Sequence, residues 1–493
     1  MTLPFQQIPQ GLLVPLFYAE VDPSRANTAS VVQRTLLIGQ MSSSGIANAN
    51  VPNICTSLTQ MKNSCGQGSL LALMYQTYRL FDTVGEVWFL PLNDNGAGAK
   101  ASGSVTFGGP AAANGTLSFY IGGILTQTGV TVGMTATQVG AAFAAVINGN
   151  PNLPVGATAA AGVVTITADG KGEYGNDIDL RLNYMGYRSG EVTPAGLTVT
   201  IVAMAGGATN PVLTTALANL VDEPFDFIVS PYKDSTSTAA ISALLSDNAG
   251  RWSWETQVYG HCFIGYAGSF SQLTTFGATL NDQHLTCIGA PASGPTPPWL
   301  WAAAVAASAA VSARADPAQP VQTSPILGVL PQALVNRFTL SQRQSLLSAG
   351  ISTFRVDAAN NVSVEKLVTT YQTNPLGEPD NSYQAIETMT TLTAVLRSLA
   401  ITVTSQFARC KLAADGTRFA PGSNIVTPSI IRGALIAAYR QLEYIGLVQN
   451  SAAFAAGLIV QQNTLNPNRV DVLYPANLIN QLNVFATLVQ FAL

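Results

Sequence analysis

Residues 365–400 read EKLVTTYQTNPLGEPDNSYQAIETMTTLTAVLRSLA, and the pattern changes period part-way along. Val362 and Val364 just upstream, with the run Leu367-Val368-Thr369-Thr370-Tyr371, are β-branched or aromatic and predict a strand. Asn374-Pro375, Gly377 and Pro379 then break it, because proline lacks a backbone donor and glycine admits positive φ. Beyond the break, Ile386, Met389, Leu392, Val395 or Leu396, and Leu399 recur at helical spacing, and Asp380, Asn381 or Ser382 is available as the cap. The stretch is a strand–turn–helix unit in which nothing is catalytic in type.

Upstream, the same alternation of strand and helix repeats. Residues 225–229, 261–266 and 285–288 read as strands; 210–220, 238–249 and 270–279 read as helices, followed by an Ala-rich helix from Trp299 entered through Pro297-Pro298. Nearer the start, 31–38 and 86–92 read as strands around a helix at 69–81. Strands separated by helices imply a mainly parallel sheet covered on both faces. Between these two blocks the composition changes. Residues 96–207 hold 22 of the 43 glycines, which marks them as a separate unit. Short strands are expected there at 117–121, 163–167, 178–184 and 197–202. One helix is expected at 136–147, capped by Thr135, with Val139, Phe143 and Val146-Ile147 inward. Glycine-rich hinges are expected at 96–103 and at Gly206-Gly207.

The expected fold class is therefore α/β and α+β, multidomain. An N-terminal arm (1–25) precedes a split central α/β domain (26–95 and 208–350) that carries an inserted mostly-β domain (96–207). A C-terminal α+β domain (351–468) follows, with a helix at 428–445 placed by Thr427-Pro428, and the chain closes with a strand or arm (469–493). Both arms pose the same physical problem. Leu12, Leu13, Leu16 and Phe17 lie between prolines, and Phe485, Thr487, Val489, Phe491 and Leu493 share one face of an alternating run. With Val470 and Val472 in the preceding strand, these side chains are too apolar to be left in water, and terminal strands fray unless something pairs them.

Composition narrows the function. Charged residues make up 10% of the 493, where soluble domains carry about 25%. Such a surface implies extensive cover by other subunits, or else an extracellular β-protein. The net charge of −4 gives no footprint for nucleic acid. Five cysteines fit buried thiols better than a disulfide framework, and Met1-Thr2-Leu3-Pro4 does not open like a signal peptide. The apolar run 299–313 is too short to span a membrane.

Catalytic motifs are missing. GAGAKA at 96–101 matches a dinucleotide loop in letters but runs into a strand pattern rather than a helix. A Ser-His-Asp triad would have to use His261 or His284, and Cys262 and Cys287 nearby lack metal-ligand spacing. Trp252, Trp254, Trp299 and Trp301 read as core or interface anchors, with a carbohydrate platform as the alternative. No cofactor, metal or catalytic residue is assigned. Arg397, Arg409, Lys411 and Arg418, with only Asp415 among them, form either a solvated face or a docking patch for an acidic partner.

The wording of the chain adds a resemblance. VTTYQTNPLGEPDNSYQAIETM, DGTRFAPGSNIVTPSIIRGALIAAYRQLE, NPNRVDVLYPANLINQLNVFATLVQF, FDFIVSPY, GNDIDLRLNY and AGLTVTIVAMAGGATNP, taken in place over the whole chain, resemble Mu-like bacteriophage contractile tail sheath proteins. The resemblance implies a structural subunit that polymerises as stacked hexameric rings around a tail tube. It implies contraction that drives the tube through the host envelope, and no catalytic residues. It implies a subtilisin-like central domain in fold only, and a C-terminal domain facing the tube, which would place Arg397, Arg409, Lys411 or Arg418 there. Terminal arms would lend strands to neighbours. Partners would be further copies, the tail tube protein, and baseplate and tail terminator proteins, without nucleic acid or direct membrane insertion. The location would be the virion tail, assembled in the host cytoplasm. A hydrolase on the α/β domain and a surface-layer or adhesin protein are the competing readings.

Overall fold

The computed structural model describes residues 33–491. Its centre is an eight-stranded sheet in the order Val362–Lys366, Ile351–Val356, Leu285–Pro291, His261–Gly268, Phe227–Val229, Arg34–Gln40, Glu86–Leu92 and Asn53–Cys55. The six inner strands are parallel, and the two edge strands run antiparallel to them. Numbered along the chain, the parallel strands stand in the order 2-1-3-4-5-6, the flavodoxin-like doubly wound arrangement. The switch point falls between Arg34–Gln40 and Phe227–Val229, where Leu36 faces Ile228 and Leu37 faces Val229.

Both faces of this sheet are buried, which is why its strands read as continuous apolar runs. Leu37, Phe227, Phe263 and Ile288 point to one side, under the helices Leu70–Arg79 and Pro298–Ala315. Leu36, Ile38, Ile228, Cys262 and Ile264 point to the other, under Ser235–Leu245, Phe270–Gly277 and Leu340–Ser348. The Ala-rich helix is almost wholly buried, because small side chains let it lie close on the strands. Where it begins, a Cβ on Gly265 would stand 2.0 Å from the Pro298 carbonyl oxygen, so that approach requires glycine.

Strands Ile351–Val356 and Val362–Lys366 extend the central sheet instead of opening a separate C-terminal unit at residue 351. Residues 367–371 are extended and buried but outside any strand. Thr370 donates its N–H to Leu285 O, and Val368 bridges Ala385. Helix 210–220 shortens to Thr214–Ala218, because Asn210 uses its side chain to accept from Glu173 N and to donate to Asp234, and Pro211 follows. The helix Leu58–Cys65, capped by Ser57, lacked a strong enough apolar stripe to be expected.

Residues 102–205 form a four-stranded and a three-stranded antiparallel sheet around their own core. Helix Ala136–Asn148 starts at Thr135 in a capping box with Gln138 and buries Val139, Phe143 and Ile147 against Phe107 and Phe119. Of the flanking glycines, Gly98, Gly103 and Gly207 are close packing positions, whereas Gly96 and Gly206 stand in open space. Ala99 and Ala208 exchange N–H···O bonds of 3.0 and 3.2 Å, and a Cβ on Gly207 would meet Gly172 O at 2.4 Å.

The long helix Ile386–Phe407 begins at Ala385 without a side-chain cap, so none of Asp380, Asn381 and Ser382 fills that role; Asp380 instead accepts from Tyr371 and Ser382. Its first turn is held from outside. Glu387 accepts Val321 N at 2.9 Å, and Thr390 and Thr391 donate to Pro317 O. Burial raises the Glu387 carboxyl's pKa. Further along, Val395 packs with Leu435, Tyr439 and Leu442 of helix Pro428–Tyr444, which Thr427 caps. Tyr439 stacks on Phe454 at 3.7 Å and donates to Gln449 O.

Candidate assembly surface

In a doubly wound sheet, a ligand site forms in the crevice beyond the carboxyl ends of the strands at the switch point. Here that crevice is filled by the chain itself. Gln40, at the end of its strand, donates to Asp94 Oδ1 at 2.5 Å and to Lys171 O at 2.7 Å, and accepts from Tyr232 at 3.3 Å. Lys171 N donates to Asp94 Oδ2, and the Tyr174 ring lies edge-on to buried Trp299. Lys233 pairs with Asp177 at 2.7 Å, both largely buried. These contacts join residues 171–177 to the sheet end and occupy the place a cofactor would take.

The two histidines are structural. His261 is buried with Nε2 2.8 Å from Thr286 Oγ1, a neighbouring-strand residue, and burial with His284 beside it pushes its pKa down to about 3. His284 lies 3.0 Å from Asp247 and stacks on Trp252. Neither is flanked by both a hydroxyl and a carboxylate, so the triad geometry is missing. Burial raises the thiols of Cys262 and Cys287, and no cluster of three metal-ligating residues exists among the described residues. Trp299 and Trp301 are core residues and Trp252 donates to Gly260 O, whereas Trp254 is exposed. Four scattered indoles are not a sugar platform.

The basic group divides. Arg397 is an internal tie: Nη1 lies 2.5 Å from Asp226 Oδ1, the two side chains are 16% and 6% exposed, and the guanidinium lies over Tyr259. Arg409, Lys411 and Arg418 are exposed beyond the end of the long helix, and no ion pair engages them among the described residues. The partner of Arg397 lies 171 residues upstream, so sequence spacing carries no signal of it.

The arms divide as well. Leu12, Leu13, Leu16, Phe17 and Leu493 lie outside the described residues. Val470 and Val472 belong to Val470–Leu473, which pairs antiparallel with Ile459–Gln462 of the same chain, so that strand has an intramolecular partner. The segment after it is different. Leu478 bridges Val448 and Gln322 donates to Leu482 O, but 483–491 forms no strand. Leu482, Val484, Phe485, Leu488, Val489 and Phe491 are each more than two-thirds exposed (69–85%). Surface apolar patches of this density mark interaction sites.

Comparison with known proteins agrees with this picture of a chain built for contacts. Residues 206–370 match the phage tail sheath protein central domain, and residues 378–492 match the phage tail sheath C-terminal domain. Over 495 aligned residues, all of both chains, the sequence is 39% identical to the Mu-like prophage FluMu tail sheath protein of Haemophilus influenzae. The crystal structure of a sheath tail protein from Desulfitobacterium hafniense shares the fold. Its TM-score is 0.50 at 13% identity, with 95% of this chain and 97% of that one covered. A sheath tail protein from Listeria innocua aligns with a TM-score of 0.48 at 13% identity, over 91% and 92%. The chain belongs to the phage tail sheath protein family, a family of structural subunits and not of enzymes.

Proposed function

We propose that the chain polymerises with itself as stacked hexameric rings around a tail tube, and contracts to drive that tube through a host envelope. Its ends would meet baseplate and tail terminator proteins, and assembly would take place in the host cytoplasm. The observation that carries the self-assembly is the segment 483–491, an exposed apolar run that joins no strand among the described residues. Beside it, the two-stranded sheet Ile459–Gln462 with Val470–Leu473 has both outer edges free of strand partners among the described residues. An exposed edge accepts a strand from another chain through main-chain bonds, with alternate side chains supplying specificity. Leu12, Leu13, Leu16 and Phe17 would make the N-terminal counterpart.

Within this reading, the C-terminal part faces the tube and offers Arg409, Lys411 and Arg418, while residues 96–207 form the outer domain. The implied likeness of the central domain to subtilisin is supported as a layer architecture, a parallel sheet between helices, without its chemistry.

The test is truncation after Asn483. Cutting after Tyr474 would also remove Asn477 and Leu478, which bond Tyr439, Gln449 and Val448 and so belong to the fold. Full-length protein should give hollow cylinders in negative stain. The truncated chain should keep its circular dichroism and remain monomeric by light scattering. Cylinders of full length from the truncated chain would refute the linking role of the tail, and a full-length protein that never forms cylinders would refute the sheath reading.

A further inference from the structure

A second surface, next to the base of the C-terminal arm where Asn483 and Val484 lie near Leu340, Arg343 and Arg355, has the makings of a subunit contact. A cleft of about 280 Å³ opens at the carboxyl end of strands Leu285–Pro291 and Ile351–Val356, with Leu334, Phe338 and Phe354 on its apolar side and Arg337, Arg343 and Arg355 around it. Arg343 pairs with Glu365 at 2.7 Å. Arg355 is 70% exposed and reaches the same carboxylate only at 4.0 Å. Arg337 donates to Gln332 O and Asn360 Oδ1 and has no carboxylate partner among the described residues. Three guanidiniums against one carboxylate leave two positive charges unmatched among the described residues, in a chain with 22 basic residues in all. Leu334, Val335 and Leu340 stand 73–88% exposed at the rim.

The complement lies at the opposite end of the same strands. Loop 374–380 projects there: Asn281 donates to Thr373 O, and Thr370 is bonded to Leu285. Asn374 Oδ1 accepts from Leu376 N and Glu378 N, its N–H donates to Glu378 O, and Gly377 takes φ 82°. With Pro375 and Pro379 on either side, this turn is built before any partner arrives, which lowers the ordering cost of binding. It holds Leu376 outward at 87% exposure, with Glu378 exposed two residues on and in no ion pair among the described residues. Asp380 differs, since Tyr371 and Ser382 engage it.

We infer that the Arg337–Arg343–Arg355 cleft receives loop 374–380 of a second copy, with Leu376 seated among Leu334, Phe338 and Phe354 and Glu378 between Arg337 and Arg355. The occupant cannot be the chain's own loop. Leu285, to which Thr370 is bonded, stands four residue steps from Gly289 on the cleft wall, about 13 Å at ~3.3 Å each, and the loop projects away from that end. A knob at one end and a socket at the other make a heterologous contact, and such contacts extend a polymer rather than close a dimer. The inference rests on the self-assembly proposed above and names one of its surfaces.

The test is a charge swap in the full-length chain. Glu378→Arg alone and Arg355→Glu alone should each raise the critical concentration for polymerisation roughly tenfold or more, because like charges then face each other. The double variant, and an equimolar mixture of the two single variants, should polymerise near the wild-type concentration, since every interface regains an opposite pair. Folded single variants that polymerise like wild type, or a double variant that stays as impaired as either single one, would overturn the inference while leaving wild-type cylinders and the sheath reading intact. Cysteine pairs settle the occupant. Leu376→Cys with Leu334→Cys should give cross-linked ladders of chains. Ladders from Phe485→Cys with Leu334→Cys in their place would assign the cleft to the C-terminal tail and overturn it.

Discussion

Replacing Arg397 with methionine separates an internal tie from a tube contact. In the folded chain its guanidinium meets the Asp226 carboxylate at 2.5 Å, both side chains are largely out of solvent, and 171 residues separate them. Methionine keeps most of the aliphatic stem and removes the charge, leaving Asp226 buried with the Arg34 N–H at 3.2 Å as its remaining close donor. Breaking a buried ion pair from one side costs about 3–5 kcal/mol. The surviving backbone donor puts this case at the low end, roughly 3 kcal/mol. At ~2–4 °C per kcal/mol for a cooperative unit of this class, the melting temperature should fall by roughly 6–12 °C. Scanning calorimetry of the monomer measures it directly. Asp226→Asn added to Arg397→Met should cost less than the sum of the two single changes, because the charge that needed a partner is then gone. A variant that melts like wild type yet fails to assemble on purified tubes would refute this and return Arg397 to the tube-facing surface.

Reversing two of Arg409, Lys411 and Arg418 to Glu should do the opposite. Melting should move by no more than about 1–2 °C per substitution, as expected at the surface, while assembly on tubes is impaired and added salt reproduces the defect. Unchanged assembly at low salt would remove these residues from the interface. Gly265→Ala should destabilise by about 1–3 kcal/mol or more, read from the denaturant midpoint, because the new Cβ falls 2.0 Å from Pro298 O and the obstacle is backbone. Wild-type stability there would mean that the Ala-rich helix shifts freely. Asp82 predicts a pH dependence. Its side chain is fully buried; burial alone would raise its pKa, but the Arg314 guanidinium at 2.6 Å and the Tyr78 hydroxyl at 2.6 Å outweigh that and hold it below the usual carboxylate range. A depressed folded pKa gives stability that is full above the ordinary carboxylate value of about 3.9 and lost as pH falls through the folded value. Arg314→Met should therefore move the acid-unfolding midpoint to higher pH, and an unmoved midpoint would contradict the coupling.

What the sequence disclosed follows the range of the forces involved. Strand Glu86–Leu92 and helix Ala136–Asn148 with its Thr135 cap were legible, because apolar period and a capping residue act within a few positions. The helix at 386 was legible in its apolar face and not in its start. Asp380 is a good cap by type, but Tyr371 and Ser382 already engage it, and the first turn is held by Val321 and Pro317. Residues 351–366 read as the opening of a new unit, yet they complete the central sheet, because period alone does not say which sheet a strand joins. Among the basic residues, charge type was visible, but the partner that makes Arg397 internal was not. The glycines at 98 and 207 carried the same letters as a hinge and turned out to be close contacts.

The adjacent crossings at Ala99 and Ala208 have a consequence for how this chain can vary. Outgoing and returning backbones run side by side as a bonded pair, so everything between them hangs from the sheet as a pendant. Its length can change, or a foreign domain with neighbouring termini can be grafted there, without shifting the register of Leu36 against Ile228. The graft must replace the contacts that Asn152 makes with Lys62 and Tyr184 with Pro331, and above all those of Lys171 and Tyr174. Those residues stopper the strand ends, so a replacement must bring its own stopper or leave Gln40 and Tyr232 lining an open, polar hole.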